Sequence, residues 1–223
     1  MSIWDFSIIP KYFLSFLGAA KMTVLVTVFG ILIGLLLGLI LALMRISQYG
    51  ILSFPAKVYI WIVRGTPLLL QLLFIYFGLV NIVRLGNLPS AFLALGLHNA
   101  AYIAEIFRGS IQGIARGQRE AGLSLGMTER KVMRRIVLPQ AFKRAVPSLS
   151  NQLIIALKDS SLASAVAIPE LLLYARQVGS SNFRLMEMLT IAAIYYLIMT
   201  SILTIFANAV ERRLNVSDFK VME

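Results

Sequence analysis

The sequence predicts an all-α integral membrane protein with five transmembrane helices. Three observations carry that prediction. The chain is 59% hydrophobic and only 14% charged, against roughly 45–50% and about 25% in ordinary soluble domains, and its mean hydropathy is +0.82. Uncharged apolar runs of about 20 residues recur along it, the length that crosses a hydrocarbon core of about 30 Å. The net charge of +11 fits a membrane surface better than nucleic acid in so apolar a chain. With no cysteine and a single histidine, His98, a metal cluster or a Ser-His-Asp triad is disfavoured. Neither a catalytic nor a metal site is expected.

The spans are expected at about 20–44, 54–83, 86–107, 145–168 and 188–210, within a single transmembrane domain over 1–223. The first lies between Lys21 and Arg45. It exceeds the roughly 7–15 apolar residues of a signal peptide, so it is read as retained. The second ends at Arg84, and its apolar character reaches back toward Phe54. The third is opened by Pro89 and closed by Glu105. The fourth starts near Ala145, with Pro147 at its start and Pro169 past its end, and it contains Lys158 and Asp159. The fifth stops at Glu211-Arg212-Arg213.

Orientation follows from the loops. The stretch Glu105–Arg144 carries nine basic residues. Arg45, Lys57 and Arg64 share its side, as do Arg212, Arg213 and Lys220 in the tail. The opposite side holds Lys11, Lys21, Arg84, Arg176 and Arg184, diluted by Asp5, Glu170 and Glu187. The bias puts the N-terminus outside and the C-terminus in the cytoplasm, in agreement with an odd number of spans.

Four motifs stand out within this frame. Gly30, Gly34 and Gly38, followed by Ala42, repeat every four residues and make a small-residue face for close helix packing. Arg64-Gly65-Thr66-Pro67 interrupts the second span. It marks either a broken helix at membrane depth or a boundary between an interfacial and a spanning helix. Gln71 faces the interior under both readings. Lys158 and Asp159 lie about 20 Å along the fourth span and share an arc with Ser148, Asn151 and Gln152. That arc either lines a polar ligand path or forms a structural ion pair. His98, with Asn99, Tyr102 and Glu105 on the same helix, reads as an interior residue before a proton carrier.

The segment 115–140 is the most specific signal. A short helix from Gly117 to Leu125 breaks at Gly126-Met127, and Thr128 caps a second helix from Glu129 to Leu138. Val132, Met133, Ile136 and Val137 lie on one face, with Arg130, Lys131, Arg134 and Arg135 on the other, and Pro139 closes the helix. Pattern alone favours contact with anionic lipid slightly over a protein partner. No G-x-x-x-x-G-K-[ST] phosphate loop occurs in the chain.

The run Glu120-Ala121-Gly122-Leu123-Ser124-Leu125-Gly126, followed after nine residues by Ile136-Val137-Leu138-Pro139, resembles the EAA loop of bacterial ABC importer permeases. Gly122 stands where the second alanine is usual. Arg64–Leu69, Ala101–Glu105 and Leu157–Leu162 are similar to stretches of the polar amino acid uptake subfamily, with Ser160 where threonine is frequent. The resemblance covers the chain from about Ala20 to Glu211. It implies the MetI-like transmembrane domain of a type I importer in the bacterial inner membrane. Its implied partners are two cytoplasmic ATPase subunits, a second permease chain (identical or paralogous), an extracytoplasmic amino acid-binding protein and the lipid bilayer. ATP and magnesium would sit on the ATPase, with no cofactor in this chain.

By that resemblance the 115–140 segment docks on the ATPase, which overrides the lipid reading. Glu120, Ala121 and Gly126 become central, Arg130 and Arg134 rim contacts, and Ile136, Leu138 and Pro139 part of the same motif. It also gives the polar path a ligand. Asp159 would receive the substrate's ammonium, Lys158 or Arg64 would balance its carboxylate, and Gln71, Asn99 and Tyr102 would be polar neighbours. Cystine, arginine, glutamine and histidine all remain open, with cystine favoured by general likeness around Leu157–Gln177. Two readings from other classes remain: a self-contained ion-coupled carrier or channel using Lys158 and Asp159, and a membrane enzyme using Asp159, Glu105 or His98.

Overall fold

The computed structural model describes residues 5–80 and 82–214; Lys220 lies outside them. Helices account for nearly all of it, and there is no strand among the described residues. Short 3-10 turns join α1 (Ile9–Phe13) to α2 (Leu17–Ile46), giving an almost unbroken 41-residue stretch from Phe6 to Ile46. α3 (Gly50–Arg64) and α4 (Leu68–Leu73) follow, and a π-helical turn at Phe74–Gly78 extends α4. α5 (Asn87–Gln112) leads to the hairpin of α6 (Arg116–Ser124) and α7 (Glu129–Val132). A π-helical turn at Met133–Val137 joins α7 to α8 (Leu138–Asp159), which ends in a 3-10 stretch, Ser160–Val166. α9 (Leu171–Asn182) and α10 (Leu185–Arg213) complete the chain.

Among the described residues, three helical stretches are long and apolar enough to cross a bilayer: Phe6–Ile46, α5 and α10. The pair α3 and α4, bent by 107° at its break, counts as a fourth if taken as one span. α8 is not among them, and it carries Lys143, Arg144, Lys158 and Asp159.

α2 and α5 form the central seam. A Cβ on Gly30 would lie 2.9 Å from the Leu95 Cβ, one on Gly34 2.8 Å from the Asn99 Cβ, and one on Gly38 2.7 Å from the Ile103 Cγ2. Gly96 returns the fit, its notional Cβ falling 2.4 Å from the Ile33 Cγ2. Hydrogen in place of a side chain lets the two backbones approach, and dispersion over that length holds them together where lipid removes the hydrophobic drive. Successive contacts advance together along both helices, so α2 and α5 run parallel and α3–α4 must carry the chain back between them. α8 runs antiparallel to α5: Arg144 donates to the Gly113 carbonyl at 2.9 Å near one end, and Gln152 to Asn99 at 2.8 Å midway.

Three helix boundaries differ from the sequence expectation. Pro139 does not close the helix that begins at Glu129, because the π-helical turn before it carries the chain on into α8. At the first turn of α8, the missing N–H of Pro139 costs little. The helix that holds the expected fourth span therefore begins at Leu138, upstream of Ala145, and Pro147 lies inside it. Buried Ala145 and Val146 hold that turn in place through the lost hydrogen bond. Lys158 and Asp159 thus close a long helix instead of sitting at its middle. The second span is also shorter than expected, its helical backbone ending at Gly78 instead of reaching Val83.

Candidate functional site: a projecting helical hairpin and a polar interior

The α6–α7 hairpin projects from one end of the bundle and is held by a small core of its own. Ile111, Val132, Val137 and Ala141 are buried together, with Met127, Met133 and Leu138 packed around them. Gly126 takes φ +76° at the turn, a left-handed geometry that favours glycine. The Met127 amide donates to the Gly122 carbonyl at 3.1 Å. Thr128 caps α7 by accepting from the Lys131 amide at 3.4 Å. Arg119 donates through Nε (2.9 Å) and Nη2 (2.5 Å) to Glu129 Oε2, clasping the two helices.

Gly122 is the close-approach position, since a Cβ there would lie 2.8 Å from the Ile136 Cδ1 and 2.9 Å from the Val132 Cγ2. The unusual glycine in the motif therefore matches bulk from Ile136 and Val132. Ile136 and Leu138 point into the hairpin and its core. Glu120, Ala121, Gly126, Arg130, Arg134 and Pro139 are exposed. Leu125, 82% exposed, stands beside them. Thr128, Arg130, Lys131, Arg134 and Arg135 line a basic concavity of about 650 Å³. An acidic residue and an uncovered leucine ringed by arginines suit a protein groove better than a lipid surface.

The polar residues expected to gather round one ligand separate into layers. Gln71 braces the break between α3 and α4: its Nε2 donates to the Val63 carbonyl at 2.8 Å and to the Thr66 hydroxyl at 2.8 Å. Its Oε1 meets His98 Nδ1 at 3.0 Å. Asn99 has no exposed surface; its amide donates to the Leu95 carbonyl and its oxygen accepts from Gln152, both at 2.8 Å. Both amides spend their polar atoms on the fold in this conformation.

Arg64 lies over the Tyr102 ring at 5.3 Å and has Nη1 3.8 Å from Glu105 Oε2. Arg45 and Arg108 grip the same carboxylate at 2.8 Å each. Asp159 follows Gln152 by seven residues toward the other end of α8, which separates it from the Arg64–Glu105 cluster by on the order of 15 Å along the bundle. Arg64 therefore does not share a ligand of amino acid size with Asp159 in this conformation. Lys158 is exposed and Asp159 half-buried, and the two charges act on each other along the helix. Ser148 and Asn151, on the same face as Lys158, are exposed too, whereas Gln152 has turned inward to Asn99.

Two features escaped the sequence reading. The three-arginine grip on Glu105 is assembled from the ends of α2, α3 and α5, whose charges read only as span boundaries. Glu170 is fully buried. It accepts from the Leu172 and Leu173 amides at the start of α9 and from the Tyr196 hydroxyl of α10 at 2.8 Å. The sequence signal was an acidic N-cap after Pro169, but its partner lies 26 residues away.

Against known proteins, residues 34–216 match the family described as binding-protein-dependent transport system inner membrane component. The chain is 36% identical over 200 residues to the glutamine transport system permease protein GlnP of Escherichia coli (strain K12), covering 88% of this chain and 91% of that one. The crystal structure of an amino acid ABC transporter with histidines matches with a TM-score of 0.90 at 37% identity, over 96% of this chain and all of that one. A chain of the MetNI methionine ABC transporter, in inward facing conformations, matches with a TM-score of 0.69 at 25% identity, over 87% of this chain and 91% of that one. A projecting hairpin with the EAA pattern, a small-residue helical seam and these similarities lead to one conclusion: the chain belongs to the family of inner membrane components of binding-protein-dependent transport systems, as an ABC permease subunit.

Proposed function

We propose that this chain forms the path by which a polar amino acid enters the cytoplasm, received from an extracytoplasmic binding protein and driven by two ATPase subunits docked on the α6–α7 hairpins. A second permease chain, identical or paralogous, completes the path. The chain itself catalyses nothing; ATP and magnesium belong to the ATPase. The N-terminus lies outside and the C-terminus in the cytoplasm. The alternating directions of α2, α3–α4, α5, α8 and α10 support five crossings.

The observation that carries this reading is the continuous helical path from the docking face to Asp159. α7, its π-helical turn and α8 make one rod from Glu129 to Asp159, so displacement of the hairpin by the ATPase moves the far end of the same rod. Rigid-body motion of a packed element is the currency of such two-state devices. Lys158 and Asp159 supply the charges that meet a zwitterion. The relatives differ in the amino acid named, so the proposal is made for the class.

The test is ATPase activity of the assembled transporter in liposomes, wild type against Glu120→Lys. Stimulation by the loaded binding protein should be present in the wild type and lost in the variant, because a cation would replace the acidic centre of the docking face. Solute uptake by the permease with no ATPase present would overturn the reading in favour of a self-contained carrier.

A further inference from the structure

At the end of the bundle opposite the hairpin, three elements rise past the rest. The Leu171 amide donates to the Thr23 hydroxyl at 3.3 Å, and Asn87, at the start of α5, donates to the Val166 carbonyl at 2.8 Å. The start of α9 is thus level with the start of α5. The 12 residues of α9 then climb about 18 Å further before the chain returns in α10. The helical stretch before α2 climbs with them. Phe16, Leu171, Ala175, Met188, Ile191 and Tyr195 are buried between the three. The charged run Glu211–Arg213 fixes where α10 leaves the membrane at its other end. A hydrocarbon core of about 30 Å measured back from it ends near Ile191. The α9–α10 turn therefore stands outside the hydrocarbon.

Phe183 sits at that tip, 94% exposed, in the left-handed region at φ 57° and ψ 29°. A bulky residue takes that geometry only where its surroundings fix it. They do so here: the Arg184 amide donates to the Gly179 carbonyl at 3.0 Å and to Asn182 Oδ1 at 2.9 Å. Gly179 lets the returning chain pass, since a Cβ there would lie 2.8 Å from the Leu185 Cα. Arg184 leans on buried Glu187 at 3.3 Å, and the Asp5 amide donates to the same carboxylate at 3.0 Å. The Ser7 hydroxyl and amide hold the Asp5 carboxyl below the usual carboxylate range. Among the described residues, the exposed charges on this projection, Lys11 and Arg176, are both basic.

We infer that the α9–α10 turn is a docking prong for the extracytoplasmic binding protein, with Phe183 as a preset anchor for an apolar notch and Arg176 and Lys11 facing an acidic rim. A rigid aromatic that loses little freedom on docking is what interface anchors are made of, and the basic surround steers a partner of opposite charge. The inference rests on the importer reading above.

The test titrates purified, amino acid-loaded binding protein into the complete transporter in nanodiscs and reads ATPase stimulation. Phe183→Ala and Arg176→Glu should each raise the half-saturating concentration about tenfold, with basal and maximal rates unchanged; Phe183→Trp should keep the wild-type value. Wild-type stimulation with unshifted variants would overturn the prong alone. No stimulation of the wild type would overturn the importer reading and the prong together. A benzoylphenylalanine placed at 183 and irradiated should link to the binding protein; linkage to phospholipid, or to a second copy of the chain, would overturn the assignment.

Discussion

Side chains that are absent do as much in this chain as those present. Gly38 meets Ile103 and the Ala100 carbonyl where any Cβ would lie within 3.0 Å. Gly38→Ala should therefore cost about 1–3 kcal/mol through forced separation of α2 and α5, read as a lowered midpoint of thermal unfolding in detergent. Gly18→Ala, with nothing within 4 Å of the added carbon, is the matched control and should leave the midpoint unchanged or slightly raised. Gly122 is the same device in the hairpin, and its departure from the usual alanine answers to Ile136 and Val132. Legibility differs between the two. Spacing alone revealed the Gly30–Gly38 face, because a four-residue repeat has one geometric meaning on a helix. Gly122 carried no such signal, since its partners lie 10 and 14 residues further along.

Elements are tied together by charges that the sequence displays only as punctuation. Glu105 joins α2, α3 and α5 through Arg45, Arg64 and Arg108. Glu105→Gln leaves three clustered guanidinium groups with a neutral amide. Because these side chains are part-exposed, the expected loss is about 1–2 kcal/mol, below that of a fully buried pair. Differential melting of wild type and variant at low and high salt checks it: the gap should narrow with salt, as screened ion pairs require. The α3–α4 break shows a different kind of tie. Thr66-Pro67 made an interruption certain, but the 107° bend depends on Gln71 supplying donors to carbonyls that the break leaves unpaired. Periodicity registers neither the angle nor its brace.

At the scale of the whole molecule, the rod from Glu129 to Asp159 links the two ends, and its consequence is separable in experiment. Asp159→Asn should leave binding-protein-stimulated ATP hydrolysis in place while lowering uptake at limiting substrate about tenfold or more, the worth of one lost charge-assisted contact. Unchanged uptake would remove Asp159 from the path. The sequence by itself determined the helical membrane class, the apolar spans of α2, α5 and α10, the glycine seam and the helix–turn–helix of 115–140. Each of these is written in local composition or in spacing within one element, where chain geometry leaves a single interpretation. Only the tertiary structure decided that Pro139 is passed through and that Asn99 and Gln71 serve the fold. Likewise, it alone divided Arg64 from Asp159 and raised Phe183 on a prong. Those outcomes depend on which residues of distant segments meet, and a polar side chain reads the same in sequence whether it faces a ligand or a buried carbonyl.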